Sequence, residues 1–261
     1  MEININPVIF WNVRWYGVFI ALAIVQILLW TSWKIKKGAS LSIDDVFTAA
    51  LVAIPFGVVF SRLLHVVDNI VVAKLHPELV LAGRVIDYTL YPRLIIGGAG
   101  LTIWGAVLGA ALGLWIYSKF HKFQLGYMLD IMAPAVILGQ VLGRVGCLIN
   151  GCCFGAETSM PWAIIYNHPS GGIPYHPSPL YEIIFLMVAF TVVLRLRDRL
   201  RPDGSLFLVY LSLYSLWRLG SDFLRVGTPF ILGLHQAQMI AILVLAITTI
   251  VLARKTRWAK V

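Results

Sequence analysis

Gly139-Gln-Val-Leu-Gly143-Arg144-Val-Gly146-Cys147-Leu-Ile-Asn150-Gly151-Cys152-Cys153-Phe-Gly155 drives one arginine into an otherwise apolar segment. A charge at membrane depth is expensive, so an ionisable residue there must find a partner and is a functional candidate by default. Gly139, Gly143, Gly146, Gly151 and Gly155 surround Arg144 and allow a second backbone or a ligand to come close. Two readings follow from this stretch. Either Arg144 sits in a tightly packed helix and pairs with a neighbouring carboxylate, or it serves a ligand.

The rest of the chain decides the setting. Of its 261 residues 59% are hydrophobic and 13% charged, and the mean hydropathy is +0.84, far outside the range of soluble domains. The chain is therefore expected to be an all-α, polytopic membrane helix bundle. A net charge of +9 would suit nucleic acid, but the basic residues lie in short loops between apolar runs, so membrane lipids and no nucleic acid are the expected partners. The three cysteines, Cys147, Cys152 and Cys153, are too few and too close for a disulfide framework. Adjacent cysteines rarely supply two ligands to one zinc and no Cys-x-x-Cys pair occurs, so neither metal nor cofactor is expected. No cleavable signal sequence is read before the first apolar run.

Seven segments approach the roughly 20 residues that cross a bilayer core. They run near Trp15 to Trp33, Val46 to Val67, Leu94 to Tyr117, Tyr127 to Ile149, Pro179 to Leu194, Ser205 to Leu224 and Leu234 to Ala253, with Gly97-Gly-Ala-Gly100 a possible kink in the third. Lys34, Lys36, Lys37, then Lys119, Lys122, then Arg195, Arg197, Arg199, Arg201, and the tail residues Arg254, Lys255, Arg257 and Lys260 mark the cytoplasmic flanks. The N-terminus is thus expected outside and the C-terminus inside. Residues 1–261 form one membrane-embedded domain in this reading, and the outside loops 65–93 and 150–178 form a small cap without a core of its own.

With that topology Arg62, Arg144 and Arg218 fall in the last thirds of outward-running spans, while Tyr16, Trp104, Glu182, His235 and Gln236 fall near the starts of inward-running ones. Residues paired only for structure have no reason to share one depth, so a polar cavity open to the outer leaflet is expected. Asp130, near the cytoplasmic end of the fourth span, stands apart and receives no role. Arg218, Asp222 and Arg225 at i, i+4 and i+7 share one helix face. Arginines in excess of carboxylates call for an anion, and phosphate matches the guanidinium fork. In His176-Pro-Ser-Pro-Leu-Tyr-Glu182 the prolines preset a helix start, and Glu182 is expected to position an arginine rather than react. Tyr16 taken alone reads as an interfacial aromatic anchor.

Trp15-Tyr16-Gly17, Ser61-Arg62-Leu63, Gly143-Arg144-Val-Gly146 with Asn150-Gly151 and Gly155, His176-Pro-Ser with Leu180-Tyr-Glu182, and Arg218 with Asp222-Phe223 and Arg225 together resemble the prolipoprotein diacylglyceryl transferase family, in order and over nearly the whole chain. The resemblance implies a multi-pass enzyme of the bacterial plasma membrane. It would transfer the diacylglyceryl group of phosphatidylglycerol to the lipobox cysteine thiol of preprolipoproteins. It also implies catalytic roles for Arg144, Arg218 and Tyr16, with the two arginines as a phosphate clamp, and substrate-binding roles for Arg62, Trp104, Asn150, Gly151, Glu182, Asp222, Arg225 and His235. The chain departs from the pattern at Cys147 and Cys152, where the family commonly has Asn and Glu, and at Trp104, where it commonly has His. His65, His235, Tyr16 and Asp222 are the alternatives for the proton acceptor. An inactive relative that binds lipid or precursor, an anion transporter, and a metal or redox role for Cys147, Cys152 and Cys153 with His65 or His235 are the competing functions.

Overall fold

The computed structural model describes residues 2–3, 5–10, 13–81, 83, 85–97, 102–121, 124–166, 172–225 and 233–258. Helices dominate it: α1 Trp15–Lys36, α2 Ile43–Leu75, α3 Pro77–Leu81, α4 Leu94–Gly97, α5 Ile103–Phe120, α6 Leu125–Asn150, α7 Ser178–Leu196, α8 Ser205–Ser221 and α9 Gln236–Lys255. Five of the described helices, α1, α2, α6, α7 and α9, are long and apolar enough to cross a membrane. The other two long helices, α5 with 18 residues and α8 with 17, cover the third and sixth expected segments. The chain divides into two compact units, residues 40–125 and residues 1–39 with 126–261.

In the first unit α2 begins at a reciprocal cap: the Asp45 N–H donates to Ser42 Oγ at 3.0 Å and the Ser42 N–H to Asp45 Oδ2 at 3.2 Å. The helix runs 33 residues, about 50 Å at 1.5 Å per residue, and so continues past the expected end at Val67 to Leu75. Ala73 is buried in this extension two turns beyond the buried Val66, so the helix keeps a packed face where the sequence pattern predicts a loop. α5 packs on α2 through Gly105, Gly109 and Gly113, one residue per turn on a single face. A Cβ at Gly105 would lie 2.6 Å from Ser61 Cα and one at Gly113 2.9 Å from the Phe56 ring, so only glycine permits this approach. The expected third span is divided: α4 ends at Gly97, α5 starts at Ile103, and most of the glycine-rich turn lies outside the described residues.

The second unit has a core of Ala133 and Ile137 from α6, Leu186 and Val193 from α7, and Leu206 and Tyr210 from α8. α9 joins α8 through Gln238 Nε2, which donates to the Leu219 carbonyl at 3.1 Å, and through the Ser212 hydroxyl, which donates to Thr248 Oγ1 at 2.7 Å. The glycines of α6 serve the contact with α1. A Cβ on Gly139 would lie 3.1 Å from Ile27 Cδ1, and one on Gly146 would lie 3.0 Å from Phe19 Cβ and 3.4 Å from Tyr16 Cα. Asp130 also finds its role here: its carboxylate accepts from the N–H groups of Gly204 at 2.8 Å and Phe207 at 2.9 Å, capping the start of α8.

The expected all-α bundle is predominantly helical but carries short strands. β1 Glu2–Ile3 pairs in parallel with β4 Ile164–Tyr166, which pairs antiparallel with β5 Pro174–Tyr175. Ile164 and Tyr166 are buried, and Phe154 packs against Tyr166 and Tyr175 with ring centroids 5.8 and 4.4 Å away. Two further antiparallel pairs are the local β2 Val8–Phe10 with β3 Val13–Arg14, and β6 Leu200–Arg201 with β7 Arg257–Trp258, which joins the segment after α9 to the turn before α8. The loop over residues 150–178 therefore has a small packed sheet, where the sequence pattern predicts no core.

Candidate active site

Arg144 lies in the last two turns of α6 and Glu182 in the first turns of α7, and the chain between them brings the two together. α6 stops at Asn150 because Gly151 adopts φ +64°, and the Cys152 N–H returns to the Cys147 carbonyl at 3.1 Å, the closure by which a glycine ends a helix. Gly155 then passes so close to the Leu224 carbonyl, Ser178 Oγ and His176 Cβ that no side chain fits. Its N–H donates to the His176 carbonyl at 2.8 Å, and the Ala156 N–H to the Leu224 carbonyl at 2.7 Å. One glycine thus knots the end of α6 to the start of α7 and the end of α8. Trp162 Nε1 donates to the Tyr181 hydroxyl at 2.7 Å, and His176 Nδ1 lies 3.2 Å from the same oxygen, fixing the loop on α7.

Inside this knot Arg144 Nε meets Glu182 Oε1 at 2.8 Å, with both side chains largely buried. The Tyr214 hydroxyl donates to the same oxygen at 3.2 Å. Cys147 Sγ lies 3.9 Å from Arg144 Nη1. One turn down α8 from Tyr214, Arg218 Nη2 meets Asp222 Oδ1 at 2.9 Å, again largely buried. Tyr214 lies within electrostatic reach of both arginines, so the two ion pairs belong to one polar cluster. Below it the Tyr210 hydroxyl donates to Gln140 Oε1 at 2.7 Å. Gln140 and Arg144 on α6 therefore face Tyr210, Tyr214 and Arg218 on α8, each set spaced by four residues.

Of the expected site residues, Arg144, Arg218, Glu182 and Asp222 meet in this cluster. Tyr16, at the start of α1 and partly exposed, lies within reach of Arg144 and the three thiols, and Asn150 adjoins Cys152. Gly151 acts through its backbone. Arg225 departs from the expected helix face: α8 ends at Ser221, a 3-10 turn spans Asp222–Leu224, and Arg225 follows in extended backbone. Its positive charge still reaches the cysteines. His235 is the N-cap residue of α9, its N–H donating to Gln238 Oε1 at 2.9 Å. Arg62 and Trp104 belong to the other unit. Arg62 Nε donates to the Ile95 carbonyl at 2.8 Å, a second nitrogen donates to the Leu94 carbonyl, and the guanidinium lies over the buried Tyr88 ring. Arg62 thus braces α4 against α2, and Trp104 stands in the first turn of α5. Tyr214, Tyr210 and Gln140 were not singled out from the sequence.

Two buried arginines held by carboxylates, with Arg225 adding positive charge beside them, make a cluster suited to an anion. A family model for prolipoprotein diacylglyceryl transferase matches residues 5–254. A phosphatidylglycerol–prolipoprotein diacylglyceryl transferase of Dehalococcoides mccartyi is 45% identical over 254 residues, covering 94% of this chain and 92% of that protein. Proteins of the same name from Clostridioides difficile and Lactobacillus acidophilus are each 30% identical, covering 89% and 96% of this chain and 86% and 90% of their own lengths. The cluster and these relatives agree, and the chain belongs to the prolipoprotein diacylglyceryl transferase family.

Proposed function

We propose that this protein transfers the diacylglyceryl group of phosphatidylglycerol to the lipobox cysteine of preprolipoproteins, at the outer face of a bacterial plasma membrane. The observation that carries the reading is the pair of buried arginines on facing helices, each fixed by its own carboxylate, in a chain whose relatives bear that enzyme's name. The substrate thiolate attacks the glycerol carbon that bears the phosphate; a C–S bond forms, the C–O bond breaks, and glycerol phosphate departs with the electron pair. No enzyme-bound intermediate is required.

Arg144 and Arg218 neutralise the charge that gathers on the departing phosphate. Glu182 holds Arg144 through Nε, which presents the far edge of the guanidinium to a phosphate, and Asp222 fixes Arg218 one turn away. Tyr16 and Arg225 stand where the headgroup enters. Seven spans, with the N-terminus outside and the C-terminus cytoplasmic, bring this cluster to the outer leaflet. Cysteine-accessibility labelling that finds residues 254–261 outside would overturn the orientation and the site's leaflet together.

The decisive assay incubates purified protein with labelled phosphatidylglycerol and a lipobox peptide. The expected product is a thioether-linked diacylglyceryl peptide, with equimolar glycerol phosphate. Absence of product, under conditions where the Dehalococcoides relative makes it, would leave the chain a binding protein for lipid or precursor.

A further inference from the structure

The three cysteines take no part in the reaction above, yet the fold gathers them. Gly151 turns the chain at φ +64° as α6 ends, and two residues on Cys153 adopts φ +63°, a left-handed conformation that residues with a Cβ rarely hold. The double reversal carries Cys153 back over the helix end. As a result the three sulfurs of Cys147, Cys152 and Cys153 all lie within 4.8 Å of one another. Adjacent cysteines rarely supply two ligands to one zinc, but here the left-handed Cys153 leaves its sulfur close to those of both Cys147 and Cys152.

The surroundings suit an ion bound by sulfur. Sulfurs held about 2.3 Å from a tetrahedral zinc stand about 3.8 Å apart, so shifts of roughly an ångström complete the geometry. Asn150 adjoins Cys152, and its Oδ1 is buried with no hydrogen-bond partner among the described residues. Arg144 and Arg225 bring positive charge within reach of Cys153. Three thiolates around a divalent cation carry one net negative charge, which those arginines offset.

We propose that Cys147, Cys152 and Cys153 form a three-thiolate site for a thiophilic divalent cation such as zinc or cadmium, at the C-terminal end of α6. Binding breaks three S–H bonds, releases three protons to solvent and forms three metal–sulfur bonds, and no electron changes hands.

The test uses the full-length protein in detergent, freshly reduced, with Cd²⁺ as the optical probe. Titration should raise a thiolate-to-cadmium charge-transfer band that saturates at one ion per chain, with about three protons released, and Zn²⁺ should abolish the band by competition. Bound Cd²⁺ should protect all three thiols of the unaltered chain from maleimide, read as intact mass. Cys147→Ser and Cys153→Ser should each weaken binding by more than roughly tenfold, since even outer partners of a metal site command that much. No charge-transfer band, protection of only one or two thiols, or parent-like affinity in either serine variant would overturn the site. Because the alkylation readout needs no substitution, a variant that fails to fold cannot rescue or sink the proposal.

Discussion

The two ends of the α6–α8 pair hold buried charge in opposite ways. At the start of α6, both oxygens of Asp130 are committed to backbone N–H groups of the α8 N-terminus. A cavity of about 440 Å³ lined by Lys34, Lys37, Asp130, Arg197 and Arg201 opens at the same end. At the other end, among the described residues, Arg144 and Arg218 are held by the side chains of Glu182 and Asp222. A carboxylate that caps a helix cannot change partner without unmaking the helix start, whereas a guanidinium gripped from one side can take a second anion on its free edge. Both ends take ionised side chains out of full contact with solvent, and the kind of partner separates a structural group from a working one.

The largest effect expected from this contrast is at the arginines. Arg144→Lys and Arg218→Lys keep a positive charge beside Glu182 and Asp222, so the fold should persist, but they lose the planar two-point grip. Groups that stabilise developing charge in a poorly hydrated site are each worth about 3–4 kcal/mol, on the order of a hundredfold or more in rate. Transfer assays in membranes with matched expression should show that loss at both positions. Lysine at Arg62, whose guanidinium already serves backbone carbonyls, should leave the chemical step intact and lower stability instead. Near-parental transfer by the Arg144 and Arg218 variants would end the phosphate-clamp assignment and with it the contrast between the two ends.

Asp130→Ala probes the structural end. Loss of a helix cap costs about 1–2 kcal/mol, so the variant should unfold at lower temperature in detergent while its rate per folded molecule stays at the parental value. A fall in that rate with unchanged Tm would place Asp130 in the chemistry after all. Tyr214→Phe lies between the extremes. It removes one hydrogen bond to Glu182, worth about 1 kcal/mol, and should slow transfer by several-fold through Arg144 while leaving the affinity for the lipobox peptide unchanged. Arg144→Lys combined with Tyr214→Phe should then be no slower than Arg144→Lys alone; additive losses would mean that Tyr214 acts by another route.

Charge was the legible part of this molecule. Arg144, Glu182, Arg218 and Asp222 are costly enough at membrane depth that their presence in apolar runs implies pairing, and they pair with one another. Neutral polar residues carry no such penalty to advertise them. Tyr214, Tyr210 and Gln140 looked like ordinary span residues, although the four-residue spacing from Tyr210 through Tyr214 and Arg218 to Asp222 was available as a signal. The i, i+7 placement of Arg225 failed because it assumed that the helix continues, and the 3-10 turn at Asp222–Leu224 ends that register. β1 and β4 escaped notice because two- or three-residue strands have no periodicity, and their pairing joins residues more than 160 positions apart. Glycine spacing was legible only in part. The stripes on α6 and α5 are visible in the sequence, but which helix each one admits is a tertiary fact.

A small effect on transfer is also expected at the cysteines, and it separates the thiol cluster from the arginine cluster beside it. A variant carrying Cys147→Asn, Cys152→Glu and Cys153→Ser comes nearer the usual family motif at the first two positions. An amide at position 147 can accept from Arg144 Nη1, which now lies 3.9 Å from the Cys147 sulfur, so the ion pair with Glu182 should stand. The sulfur that makes the new bond belongs to the substrate, and direct displacement leaves no lipid on the enzyme. Substantial transfer should therefore survive while the cadmium charge-transfer band disappears. Two results would break this separation: complete loss of transfer in a correctly folded variant, or a diacylglyceryl adduct on one of the three native sulfurs, found by mass spectrometry of the parent after a single turnover. Either would move the cysteines from the neighbourhood of the chemistry into it.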